Sequence, residues 1–130
     1  MAIGMVAGLR NARLDAITTF AGGSAKLRIY DGARPATGGS TTTLLAELTC
    51  NATFAPPAAG GVLTLNSVTS GTATATGLAT WARLVRSDGT TIVMDLSVST
   101  SSSDVNLNTT SIVSGAIVSV TSASITEANA

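Results

Sequence analysis

From Lys26 onward, apolar residues recur at every second position in short runs, and turn residues cut each run off. A period of two sends alternate side chains to opposite faces, so this part of the chain is confined to short strands. Lys26–Tyr30 places Leu27 and Ile29 on one side before the turn Asp31-Gly32. Residues 34–40 read as a loop from Pro35 and Gly38-Gly39. Residues 43–51 set Leu44, Ala46 and Leu48 against Leu45, Glu47 and Thr49, and 62–68 group Leu63 with Leu65. Pro56-Pro57 and Gly60-Gly61 bracket the loop between them, and 72–76 alternate Thr with Ala as an edge strand does. Residues 78–86 and 91–98 flank Asp88-Gly89 and predict a β-hairpin, its second arm grouping Ile92, Met94, Leu96 and Val98. The polar connector 99–103 leads to a brief strand at 104–107. After a turn at Ser114-Gly115, residues 116–125 form a long closing strand, and the tail 127–130 is expected to be loose.

The first twenty residues follow a different period. Met5, Leu9, Ala12, Ala16 and Phe20, flanked by Val6 and Ile17, recur at helical spacing, with Asn11, Asp15 and Thr18 opposite. Gly22-Gly23 stops the pattern. The stripe is expected to pack either on the protein's own sandwich or on a neighbour's. Arg13 falls inside it, either as a side chain reaching out to water from the stripe's edge or as one half of an ion pair between subunits. The expected fold is mainly β: an antiparallel β-sandwich or jelly roll of about seven or eight strands with one N-terminal helix. Residues 1–23 make the arm and helix and 24–130 the β-sandwich, a single domain of 130 residues. No internal repeat supports a solenoid or propeller.

Composition narrows the chemistry. The chain has no His, which removes the commonest general base and metal ligand near neutral pH. Its one Cys, Cys50, makes neither an internal disulfide nor a thiolate metal site, and its carboxylates are scattered. Neither an enzyme nor a cofactor is expected. Charged residues are 11% with a net charge of zero, so nucleic acid and anionic membranes find little to bind. The opening residues lack the layout of a leader, and no apolar run approaches the roughly 18 residues of a membrane span. A soluble protein made in the cytoplasm is expected. Thr, Ser and Ala stand where Lys and Glu usually guard exposed strands, which implies a surface committed to fixed neighbours.

Few residues invite a functional reading. Asp31, Asp88 and Asp104 fit turn chemistry better than catalysis or Ca²⁺ binding. The sequons at Asn51 and Asn108 are chance matches in a Thr-rich chain, and Cys50 has no cation nearby to activate it. Trp81, flanked by Arg83 and Arg86, is either a contact anchor or the core's one large plug, with the arginines then lining the solvent face. Arg10, Arg13, Phe20, Trp81, Arg83 and Arg86 are the candidate protein-contact residues.

The run KLRIYDGARPAT (26–37), followed by LLAELT (44–49), resembles a family of small virion proteins from tailed bacteriophages. ATWARLVRSDGT (79–90), VSVTS (118–122) and the helical RNARLD (10–15) are similar to that family too. The resemblance implies a structural virion protein and carries over no catalytic residue. It is read as a capsid decoration, or cement, protein made in the host cytoplasm and placed on the capsid surface. Such a protein bridges major capsid subunits, its expected partners, as a small homo-oligomer. A tail or collar component and a virion-displayed host-binding module are the alternatives.

Overall fold

The computed structural model describes residues 6–36 and 38–126. Met5, the tail at 127–130 and part of the 34–40 loop (Thr37) lie outside the described residues. Helix α1 (Ala7–Ala21) precedes strands β1 (Lys26–Tyr30), β2 (Leu44–Thr49), β3 (Val62–Thr64), β4 (Gly71–Thr72), β5 (Gly77–Leu78) and β6 (Trp81–Val85). After these come β7 (Ile92–Ser99), β8 (Val105–Leu107), β9 (Ser111–Ile112), β10 (Ile117–Val118) and β11 (Val120–Thr126). The fold is mainly β with one N-terminal helix. Seven strands form one sheet in the order β2-β1-β6-β7-β8-β11-β3, and β4–β10 and β5–β9 form two small ribbons.

Several runs that read as single strands are divided. The 78–86 run becomes β5 and β6, and the closing run becomes β10 and β11 with a break at Ser119. These divisions let the sheet wrap. Thr69 N donates to Thr49 O at 2.9 Å and Thr74 N to Leu45 O at 2.8 Å, seating the β4 segment along the outer edge of β2. β4 in turn pairs with β10, which leads directly into β11. Hydrogen bonding therefore passes from β11 through β8, β7, β6, β1, β2, β4 and β10 and returns to its own chain. This wrap covers the edge of β2 that a flat sheet of this composition would leave open.

One pairing departs from the expected antiparallel scheme. β7 and β8 run parallel at Val98↔Val105 and Ser99↔Asn106. Parallel neighbours ordinarily need a crossover of a dozen or more residues. Here residues 100–104 make the link, and side chains stitch it down. Asp104 Oδ2 accepts from Ser97 N at 3.2 Å and Ser97 Oγ at 3.0 Å. Ser99 Oγ accepts from Ser102 N at 3.0 Å, and Asn106 Oδ1 accepts from Ser103 N at 3.1 Å. The serine-rich connector thus has a structural purpose.

The core is aliphatic. Leu48, Leu27 and Leu84 lie in register across β2, β1 and β6, all fully buried, and Leu63, Leu96, Val105, Leu107, Val118 and Phe54 complete it. Helix α1 lies over the end of the body where β1 begins and β6 finishes. It turns inward the face opposite the stripe of Leu9, Ala12, Ala16 and Phe20. Leu14 (2% exposed) and Ala21 are buried, with Ile17 packed beside them. Asn11 Oδ1 accepts from Gly61 N at 2.9 Å and Asp15 Oδ1 from Ala58 N at 2.7 Å. Val6 (75%), Leu9 (49%) and Phe20 (50%) face solvent. Two carboxyl- and amide-bearing side chains win the inward face because they cap loop N–H groups that burial would otherwise leave unpaired. Just beyond Gly61, Val62 pairs with Thr126, so both ends of the described chain emerge at this pole.

Candidate functional site

Across β2, β1, β6 and β7, register aligns Glu47, Arg28, Arg83 and Asp95 in one row. Two arginines opposite each other on neighbouring strands repel, and each is neutralised by the acid on its outer side. Arg28 Nε donates to Glu47 Oε2 at 2.7 Å, and Lys26 Nζ lies 3.8 Å from Glu47 Oε1, all partly exposed. Arg83 is held more tightly. Its Nε donates to Asp95 Oδ1 at 2.7 Å, and its Nη2 donates to Asp95 Oδ2 at 3.2 Å and Gly39 O at 2.9 Å.

A strap, residues 31–36 and 38–43, folds over this row. Gly38 N donates to Asp95 Oδ2 at 3.3 Å. Trp81 Nε1 donates to Asp31 O at 3.0 Å and to Thr42 Oγ1 at 3.1 Å, while Thr42 Oγ1 donates to Asp31 O. The Trp81 ring stacks on Tyr30 with centroids 4.5 Å apart and 16° between planes, and Arg83 Cζ sits 5.2 Å from the Trp81 ring. Trp81 is 1% exposed and Arg83 5%. Neither is open to a partner, which corrects their place among the contact residues. Trp81 is a plug, and Arg83 lies beneath the strap instead of lining the solvent face.

The acidic residues serve their own turns. Asp88 Oδ1 accepts from Thr90 N and Thr91 N, each at 2.9 Å, and Oδ2 from Thr91 Oγ1 at 2.7 Å. These bonds, that from Thr91 N foremost, hold its carboxyl well below the usual carboxylate range. Asp31 Oδ1 accepts from Thr43 N at 3.0 Å. Asn51 and Asn108 accept from Thr53 N and Ser119 N. Among the described residues no group of three or more His, Cys, Asp or Glu gathers as a metal site. Burial pushes the Cys50 thiol up to about 11, leaving it a small apolar residue.

The remaining candidates gather at the helix pole. Arg86 Cζ lies 5.7 Å from the Phe20 ring, and the two join Ala16 and Thr19 around an open groove of about 400 Å³. Arg13 is exposed on the same stripe, and Arg10 is half-buried at its edge. Ile92, exposed at the start of β7, lies at this end as well.

A second apolar patch was not foreseen. Leu78 on β5, Val113 after β9 and Ile117 on β10 are all exposed at the opposite end of the body. Two-residue strands carry no alternation from which an outward face could be read. Their only sequence signal is a large aliphatic set among Gly, Ser and Thr. Every exposed large apolar side chain among the described residues belongs to one pole or the other.

The architecture defines a helix-capped, mainly β domain with apolar side chains exposed at its two poles. Compared with known proteins, the chain matches no family model, no curated protein and no solved structure.

Proposed function

We propose that this chain is a structural virion protein of a tailed phage, acting as a capsid decoration protein that bridges and stabilises major capsid subunits. The observation that carries this reading is the exposed stripe Val6, Leu9 and Phe20 on a helix whose other face is already docked. An apolar face kept in water on a body with net charge of zero invites association unless a neighbour covers it. The segment resemblance supplies the virion setting. The mechanism is mechanical: many weak contacts on a symmetric lattice add up through avidity and resist expansion of the shell. Immunogold labelling of intact virions of the encoding phage, with antibody against this chain, tests it. Dense label over heads is expected. Label confined to tails overturns the decoration role in favour of a tail or collar component, and absence of label from denatured as well as intact particles overturns the virion assignment.

A further inference from the structure

We propose that this protein takes up an extended segment of a partner polypeptide as an added strand, in a gap where its own ladder opens. Residues 62–72 run antiparallel to 117–126 and pair with them at both ends. On one side of the gap Thr64 faces Ser124, and Leu65 N donates to Ala123 O at 3.0 Å. On the other side Gly71 faces Val118, and the Ser70 and Ser119 hydroxyls lie 3.0 Å apart. Between these points the two segments part. Asn66 N donates to Phe54 O at 3.0 Å and Thr69 N to Thr49 O at 2.9 Å, both away from β11. β11 is irregular at the same level, its register against β8 shifting between Val120 and Ser122. Residues 66–69 span about 13 Å when extended, and a groove of about 410 Å³ lies between this side and 120–123.

Backbone groups determine what fills it. The Ser67 and Val68 N–H groups donate to no other group among the described residues, and Val68 is half-buried. Unpaired backbone donors on a half-buried stretch call for acceptors from outside. Water supplies acceptors singly, whereas a strand supplies them at the spacing of the ladder itself. The lining then selects the kind of strand. Thr64, Ser67, Thr121 and Ser122 bring hydroxyls, Leu65 and Val68 pack on the core, and no charged side chain lines the groove. A charged residue entering there finds no opposite charge, so the strand is neutral. Shared among four residues, the volume holds backbone and small side chains. Main-chain bonds from so short a segment set the Kd at about 1 mM. In the virion role the strand belongs to a neighbouring subunit, and only that use rests on the reading above.

Titration of the isotope-labelled full chain with the blocked pentapeptide Thr-Ala-Thr-Ala-Thr, up to about 10 mM, tests it by amide NMR. The Ser67 and Val68 amide signals are expected to move downfield and their hydrogen exchange to slow by about tenfold. The same peptide N-methylated at both alanines lacks one row of donors and should leave both signals in place. Ser67→Trp fills the groove and should weaken binding by about tenfold, with Ser67→Leu in its place if the amide spectrum shows that it does not fold. Unmoved Ser67 and Val68 signals at the highest concentration overturn the proposal. So does equal binding of the N-methylated peptide, or undiminished binding by the folded groove variant. Inorganic phosphate moving these two amides where the peptide does not assigns the groove to an anion and overturns it as well. Virion labelling and peptide binding can fail independently, so each result bears on its own proposal.

Discussion

Arg83 and Asp95 hold opposite charges almost out of water, their side chains 6% and 2% exposed, and the pair also anchors Gly38 and Gly39 of the strap. Removing one partner leaves the other charged and buried, which costs far more than the pair contributes. Asp95→Ala is expected to destabilise the fold by about 3–5 kcal/mol in urea titrations, and Arg83→Met combined with Asp95→Leu to recover much of that loss. Asp88 behaves differently, because it is exposed and its bonds are local. Its folded pKa is depressed, so its contribution is fully present above the unfolded value of about 3.9 and fades as pH falls through the folded one. A carboxyl NMR titration should find the Asp88 midpoint below that of a free aspartate. Asp88→Asn should lower stability across pH 5–8, where the ionised carboxylate contributes in full, and flatten the acid limb of the stability profile.

At the scale of elements, α1 shows how far a period can be trusted. The spacing placed the helix within two residues of its observed bounds but left open what its apolar stripe packs against. Leu14, Ile17 and Ala21 form a second apolar stripe, and only the loop at 55–61, far away in sequence, decides which stripe is covered. Leu14→Ala is expected to cost about 2–5 kcal/mol by chemical denaturation. Leu9→Ala, at an exposed position of the other stripe, should stay within about 0.5 kcal/mol. The strands divide along the same line. The hairpin around Asp88-Gly89 was legible because turn and alternation are both local, and the structure pairs Leu96 with Ala82 and Asp95 with Arg83 as those faces require. The burial of Trp81 and Arg83 was not legible, since a strap forty residues upstream creates it. Nor were β4, β5, β9 and β10, each two residues long and defined by partners instead of by pattern.

The whole molecule depends on the seam between β2 and β4. There the backbones approach so closely that a Cβ on Gly71 would sit 2.7 Å from Glu47 O and 2.7 Å from Leu48 Cδ2. Gly71→Ala must push the two strands apart and is expected to cost about 1–3 kcal/mol. Hydrogen exchange locates the damage: the Thr69 and Thr74 amides should exchange much faster, while those between β1 and β6 keep their protection. The positions of the two ends of the described residues matter in another way. Asn11 is tied to Gly61, and Thr126 pairs with the next residue, Val62, so residues 6 and 126 share the helix pole. A flexible tether of about ten Gly/Ser residues reaches some 16–19 Å on average, enough to splice such neighbours into a continuous circle. Reopening that circle at the exposed Ser114-Gly115 turn would move a fused cargo from the pole carrying the bare helix stripe to the opposite one. Where a passenger is attached would then determine which of the two apolar poles it covers.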